Sequence, residues 1–320
     1  MALSSLKRFV PRSLREKLLP VYHYTLAYLG ALRYRFPSRK LFVIGVTGTK
    51  GKTTTIELIN SMLEEAGYLT AIVSTLRFKA GSESRPNRMK MTMPGRFFIQ
   101  KMLREAVEKG CTHAIVEMTS EGAKQFRNTF IDLDALILTN IAPEHIESHG
   151  SYENYVRAKL SIAQGLSRSK KPRRLLVVNR ESPEAEKFLA VSHVDTIEYQ
   201  QSDAVRLGIE TALPGNFNLT NAVAAATLGH ALGIPYETIR RGIKKCTVVP
   251  GRMEFVAIPG KTLPFSIVVD YAHTPDSLKA VYSTFPDKRL LCVLGGTGGG
   301  RDTWKRPLMG EIADTHCSKI

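Results

Sequence analysis

The chain carries one tryptophan and four cysteines in 320 residues. Cys111, Cys246, Cys292 and Cys317 lie far apart and form no C-x-x-C pair. That spacing speaks against a zinc knuckle and against a disulfide framework, and suits a reducing compartment. Long apolar runs are missing too. The stretch Val21–Leu32 is broken by His23 and Thr25 and is too short to span a bilayer. No internal repeat or low-complexity tract appears, which sets aside solenoids and compositionally biased linkers. Acid is scarce at the start: among the first 40 residues Glu16 alone opposes Lys7, Arg8, Arg12, Arg15, Lys17, Arg33, Arg35, Arg39 and Lys40.

The formal net charge is +16. The basic start suits anionic lipid, nucleic acid or an anionic small molecule, and equally a plain solvated basic surface. No aromatic–basic module accompanies it, so nucleic acid is not the expected partner. Leu14, Leu18, Val21, Tyr22, Leu26, Leu29 and Leu32 recur near helical spacing, and Pro11 and Pro20 suit helix starts. Residues 1–40 are therefore predicted to form two short amphipathic helices. They pack on the body or lie on a membrane surface, with packing on the body preferred.

What the chain does have is VIGVTGTKGKTTT, Val43 to Thr55. An apolar strand run, Leu41–Val46, is broken by Gly45, Gly48 and Gly51. Ile56, Leu58, Ile59 and Met62 then recur at helical spacing. Strand, glycine turn and helix are the context of a phosphate-binding loop. Glycines let backbone N–H groups converge on phosphate oxygens, and the helix N-terminus adds partial positive charge. Gly48, Thr49, Lys50, Gly51, Lys52, Thr53 and Thr54 are the candidate ATP-binding residues, with Lys52 on the terminal phosphates and the Thr53 hydroxyl on Mg²⁺. The usual pattern has Gly where Val46 stands, so this is a variant loop. Because an ATP-type loop follows the basic start at once, that start is not read as a secretory leader.

Downstream, Thr70–Thr75, His113–Met118, Ala135–Thr139 and Leu175–Asn179 read as buried strands. Ile56–Ala66, Phe97–Glu108 and Tyr152–Leu166 read as helices. The alternation predicts an α/β fold: a mainly parallel sheet with helices on both faces, over residues 41–248. Phe78–Pro94 reads as a long surface loop with a hint of substrate contact. Cys246–Arg252 reads as a hinge. Phe265–Asp270 and Leu290–Gly295 read as buried strands that start a second, Rossmann-like α/β domain, residues 249–320.

In such sheets ligands sit at the C-terminal ends of strands. Glu117 ends a strand and is a candidate Mg²⁺ ligand. Thr139-Asn140-Ile141-Ala142-Pro143-Glu144-His145 follows another, with His145 a candidate for metal or phosphate. Arg252 at the hinge and Asp270 with His273 after a further strand can face the same cleft. Lys159 alone reads as an ordinary solvated lysine.

Seven stretches in order resemble the Mur ligase family, within it the type that adds the third residue to UDP-N-acetylmuramoyl-dipeptide. They are TGTKGKTTT, VEMTSEGAKQFR, TNIAPEHIESHGSYENYVRAK, LPGNFNLTNAVAAA, VPGRMEF, VVDYAHTPDSL and GGTGGGRDTWKRPLMGEIA. The resemblance implies an ATP-dependent amide-bond-forming ligase of peptidoglycan precursor synthesis, in the cytoplasm or peripheral to the inner membrane face. A carboxylate is phosphorylated by ATP and the acyl phosphate is attacked by an amine. The substrates it implies are a UDP-N-acetylmuramoyl-peptide and an amino acid, for instance a diamino acid. It makes Lys52, His145 and Lys159 catalytic, and Thr53, Glu117, His145 and Lys159 the Mg²⁺ set, with Lys159 carbamylated. It makes Thr92, Ser120, Gln125 and Arg127 substrate contacts, and Asn221, Arg252, Asp270 and His273 ATP-side residues.

The sequence departs from the family at Lys50 (usually Asn), Met93 (usually Thr), Thr119-Ser120-Glu121 (usually Ser-Ser-His) and Glu144 (usually Asp). Short basic helices stand where the family has its uridine-binding domain, and the last domain stops after about two strands. The expectation is a truncated gene product or a reduced member that works with a partner chain. The alternatives are a nucleotide-binding subunit without autonomous ligase activity and a folylpolyglutamate synthetase-like ligase.

Overall fold

The computed structural model of the chain describes residues 12–89, 91–144, 146–296 and 302–320, with side chains from residue 18 onward. The described residues open with α1 (Arg12–Arg33) and a 3-10 turn (Pro37–Lys40). There follow β1 (Phe42–Thr47), α2 (Lys52–Glu65), β2 (Thr70–Val73), β3 (Arg77–Ala80), β4 (Glu83–Pro86) and α3 (Arg96–Glu108). Next come β5 (His113–Glu117), α4 (Ser120–Lys124), β6 (Ala135–Leu138), α5 (Ile146–His149), α6 (Tyr152–Ser167) and β7 (Leu175–Asn179). After α7 (Ala185–Leu189), β8 (Asp195–Tyr199) and α8 (Asp203–Leu207), two longer helices follow, α9 (Asn216–Ala231) and α10 (Tyr236–Lys245). The chain ends with β9 (Glu254–Val256), β10 (Ile267–Val269), α11 (Pro275–Tyr282) and α12 (Lys305–His316).

The main sheet runs β4-β3-β2-β5-β1-β6-β7-β8. β2, β5, β1, β6, β7 and β8 are parallel, and β3 and β4 add an antiparallel edge hairpin. Every residue of β1 except Phe42 is buried, because helices cover both faces. Ile44 and Val46 join Ile59, Val223, Ile239 and Ile243 on the face of α2, α9 and α10. Val43 joins Ile99, Leu103, Tyr155 and Ile162 on the face of α3 and α6. Register then positions the chemistry. Val46 pairs with Glu117 and Thr47 with Leu138, so Glu117 and Thr139 emerge on either side of the turn that leaves β1.

Four expectations change. Among the described residues of the first 40, Arg12–Arg33 form a single helix that runs through Pro20 rather than starting at it; residues 1–11, Pro11 among them, lie outside the described residues. α1 packs on α3 through small residues: Ala27 and Ala31 are buried, and Gly30 approaches the backbone of Phe97. The stretch Phe78–Pro94 is half hairpin. β3 finds a ladder partner on β2, and Phe78 is buried against the α3 face, so this edge is structured by the sheet. At the other end, Leu290–Gly295 forms no strand: Leu291 makes a single bridge to Lys319, and Leu291 and Val293 are exposed. A strand needs a neighbour to satisfy its backbone, and among the described residues only β10 finds one, antiparallel to β9. Finally, Cys292 and Cys317 are joined in a disulfide. The Cys292 N–H donates to the Lys319 carbonyl at 2.9 Å, so the chain's return after α12, not the cysteine spacing, brings the two together.

His113 opens β5 between the rings of Tyr68 and Phe42, with centroids 4.3 and 5.2 Å away. Burial holds its pKa at about 4, against an ordinary 6.5. The folded state therefore resists a proton that the unfolded chain takes up near pH 6.5. Stability is expected to fall as pH drops from about 6.5 toward 4 and to gain no further loss from this group below that. Urea midpoints across this range should fall less steeply in H113Q than in the parent. Parallel midpoint curves would contradict the assignment.

Candidate functional site

The turn from β1 into α2 is shaped by two glycines that no other residue can replace. Gly48 has φ +145°, and a Cβ there would stand 1.9 Å from the Thr139 hydroxyl. Gly51 has φ +80°, and its Cβ would stand 2.3 Å from the Asn221 amide oxygen. The end of β6 braces this loop. The Thr49 N–H donates to the Asn140 carbonyl at 2.8 Å and the Lys50 N–H to the Asn140 side chain at 2.9 Å. The Thr139 hydroxyl donates to the Lys50 carbonyl at 2.6 Å. From α6, the Tyr155 hydroxyl meets the Thr49 hydroxyl at 2.6 Å.

On the other side stands Glu117, buried at the end of β5. Its carboxylate accepts from the Thr53 hydroxyl at 3.2 Å and from the Thr75 N–H at 2.8 Å. Thr53 and Glu117 thus offer two hard oxygen donors at one point, a set that suits Mg²⁺. Among the described residues no group of three His, Cys, Asp or Glu converges as a metal site. Of the two further members of the expected set, His145 lies outside the described residues, and Lys159 stands across the loop on α6.

Three lysines surround the loop. Lys52 Nζ donates to the carbonyls of Gly48 and Thr49 at 3.0 and 2.9 Å. Lys159, read from sequence as solvated, is buried on α6 with Nζ 2.6 Å from the Gly48 carbonyl. Burial first, then the charge of Lys52, hold its pKa well below the usual lysine value. Lys50 pairs with Glu144 at 2.8 Å, and burial still lowers its pKa. Glu144 also meets His273 Nε2 at 2.9 Å, which brings the turn after β10 to the cleft.

The cleft has a volume of about 680 Å³. Its lining includes Lys50, Thr53, Thr54, Thr92, Asn221 and Arg252, with Asp270 and His273 beside them. The guanidinium of Arg252 lies 4.5 Å over the Tyr271 ring. Asp270 braces the backbone: its carboxylate accepts from the N–H groups of Met253 and Ala272 at 2.8 and 2.6 Å. Asn221 accepts from Thr55 and donates to Asn218.

Ser120, Gln125 and Arg127 do not line this cleft. Ser120 is buried, with its hydroxyl 3.1 Å from His149 Nε2. Arg127 donates to Gln125 Oε1 at 2.8 Å and to the Met93 carbonyl, just beyond Thr92. Sequence reading passed over Thr75, Asn179 and Glu181, all of which line the cleft. Asn179 ends β7, so the strand-end rule could have found it. Thr75, which ends the run Thr70–Thr75, carried the same signal; Glu181 carried none of its own.

Residues 46–206 match the profile of the Mur ligase middle domain, and residues 251–320 that of the Mur ligase, glutamate ligase domain. A UDP-N-acetylmuramyl-tripeptide synthetase from Roseiflexus sp. (strain RS-1) is 32% identical, over 92% of this chain and 64% of that protein. A UDP-N-acetylmuramoyl-L-alanyl-D-glutamate–2,6-diaminopimelate ligase from Gloeobacter violaceus (strain ATCC 29082 / PCC 7421) is 36% identical, over 90% of this chain and 62% of that protein. The chain thus spans less than two thirds of the length of these curated relatives. A solved diaminopimelate ligase of the same name superposes with a TM-score of 0.67 at 26% identity, covering 91% of this chain and 64% of that one. The Mycobacterium tuberculosis folylpolyglutamate synthase complexed with ADP shares the fold, with a TM-score of 0.62 at 18% identity, covering 84% of this chain and 70% of that one. Glycine loop, strand-end carboxylate and helix-borne lysine stand within the matched middle domain, and the chain belongs to the Mur ligase family.

Proposed function

We propose that this chain binds ATP and Mg²⁺ and joins an amino acid to the peptide of a UDP-N-acetylmuramoyl-peptide, through an acyl phosphate, in peptidoglycan precursor synthesis. The observation that carries the reading is the Thr53–Glu117 contact at the mouth of the glycine loop, with Lys52 in the same turn. Residues 41–248 serve as the ATP-binding unit, and residues 249–320 as part of a C-terminal unit. A substrate carboxylate oxygen attacks the γ-phosphorus and ADP leaves. The amine nitrogen then attacks the carbonyl carbon, phosphate leaves with its bonding pair, and the nitrogen gives up a proton.

The chain's part is orientation and charge. Loop N–H groups and Lys52 hold the β- and γ-phosphates. Arg252, Asn221 and His273 close on the nucleotide. Thr53 and Glu117 would hold Mg²⁺, which neutralises phosphate charge when bound. Thr92, Ser120, Gln125 and Arg127 are assigned to the acyl substrate. The names of the two relatives support a dipeptide acceptor and a diamino acid. ATP as co-substrate supports a cytoplasmic site.

Replacing Lys52 with Ala tests the reading. ATP affinity by calorimetry is expected to fall at least about tenfold, the loss of one good charge-assisted contact. Unchanged affinity would remove the basis of the proposal. If the parent binds ATP but forms amide only when a second protein is added, the reading of a nucleotide-binding subunit with a partner chain replaces it.

Lys159 is proposed to carry a carbamate. Burial favours the neutral amine, the form that attacks CO₂; the new N–C bond forms with release of the nitrogen's proton and would leave an anion near Glu117. Incubation with ¹³C-bicarbonate should give one carbamate resonance that is absent from K159M. Identical spectra would refute it.

The exposed face of α1, with Leu18, Val21, Tyr22, Leu29 and Leu32, supports contact with an anionic membrane surface. No helix among the described residues is long and apolar enough to cross a membrane. The chain should co-sediment with phosphatidylglycerol vesicles and not with phosphatidylcholine vesicles. Equal sedimentation with both, or with neither, would discard this contact.

A further inference from the structure

Beyond Thr92 the cleft edge runs into a cluster of cations that lacks counterions. Two guanidinium groups converge on Gln125. Arg96, the first residue of α3, donates to its backbone carbonyl, and Arg127 donates to its side-chain oxygen at 2.8 Å. Arg127 also donates to the Met93 carbonyl. All these acceptors are neutral. Among the described residues, neither arginine has a carboxylate within salt-bridge distance. The acid that Arg127 feels, Glu121, is held by Ser148 and lies 3.4 Å from His149.

α1 closes this cluster. Ala27 and Gly30 face α3, and His23 stands one turn before Ala27 on the same face. His23 Nδ1, Arg96 Nε and Arg127 Nε are all buried without a hydrogen-bond partner. Unmet donors of this kind are rare, and two arginines side by side without an acid are rarer. Burial and then the charge of Arg127 lower the Arg96 pKa, burial lowers that of Arg127, and burial together with both arginines lowers the His23 pKa. Everything that is costly here is relieved by one group: an oxyanion, whose lone pairs suit guanidinium forks.

We infer that His23, Arg96 and Arg127, arranged about Gln125, form a subsite for an oxyanion of the acyl substrate, with α1 supplying one wall. The inference rests on the ligase reading and deepens it. The placement favours the acyl substrate over ATP. A chain of contacts runs from Glu117 to Thr75, from Thr75 to Thr92 at 2.8 Å, and through Met93 to Arg127; it starts on the β2–β5 side of β1, whereas His273 meets Glu144 beyond β6, on the other side. The bound group is a carboxylate of the peptide or the pyrophosphate of the nucleotide-sugar, both oxyanions.

The first measurement reads the subsite alone. Inorganic phosphate is titrated into the full chain while the His23 ring protons are followed by NMR, with H23Q identifying the signal. The signal should shift saturably, and the His23 pKa should rise, because a bound anion favours the imidazolium. In R96Q the phosphate affinity read at His23 should fall about tenfold or more. R96K should fall between, keeping the charge without the fork. The second measurement is calorimetry with UDP-N-acetylmuramoyl-L-alanyl-D-glutamate. R96Q should weaken binding about 10–100-fold and leave ATP affinity unchanged. Parallel titrations with UDP and with the nucleotide-free muramoyl dipeptide name the source, since only the one that fills the subsite loses affinity in R96Q.

A His23 signal unmoved by phosphate, with substrate affinity the same in R96Q and the parent, would overturn the inference. A His23 response without any binding of the UDP-linked substrate would uphold the subsite and defeat the ligase reading instead.

Discussion

The glycine loop keeps its shape because β1 lies between β5 and β6 and both neighbours reach across to hold it. From β6 come Thr139 and Asn140, which occupy the Lys50 carbonyl and the N–H groups of Thr49 and Lys50. From β5 comes Glu117, which fixes Thr53 and the N–H of Thr75. This is the topological switch of a doubly wound sheet, where neighbouring connections leave in opposite directions and open a crevice. The parallel ladder alone sets which residues stand there, since a slip by one position would turn Glu117 into the core. The geometry of the candidate site is therefore inherited from strand register rather than built by the loop.

Charge is the second constraint. Lys50, Lys52 and Lys159 crowd one turn, and among the described residues Glu117 and Glu144 oppose them nearby. Three ammonium groups so close repel one another, and the chain offsets this with carbonyls and burial: Lys159 is driven toward its neutral form, while Lys52 rests on the Gly48 and Thr49 carbonyls. A polyphosphate entering the cleft would give Lys52 stronger acceptors than those carbonyls, so its contacts are ones that can be exchanged.

Much of this was legible before any coordinates. The main sheet and its helices followed from alternating apolar runs, because burial on both faces leaves no polar alternation to confuse them. Thr53, Glu117 and Lys50 were findable because a strand followed by a polar residue marks the crevice. Other parts were hidden for definite reasons. The β3–β4 hairpin looks polar because it sits at an edge, where β4 is exposed. Lys159 looks like any helix-surface lysine, and only the packing of α6 against the loop buries it. The Cys292–Cys317 pair depends on how the chain returns after α12, which no spacing records. Pro20 sits inside α1, where the docking of Ala27 and Ala31 on α3 holds the helix together past a residue that local propensity would place at its start.

The two departures from the family at Lys50 and Glu144 make sense together. Each is longer and more demanding than the residue it replaces, and they meet at 2.8 Å. Glu144 is buried, so its carboxylate needs more than one partner to offset the loss of water. Lys50 supplies one from the loop. His273 supplies the second from the turn after β10, at 2.9 Å from the same oxygen. The exchange of a short neutral–acid pair for a long ionic one therefore does more than preserve contact. It makes one buried carboxylate a point where the glycine loop and the turn after β10 are held together, at the edge of the crevice that both line.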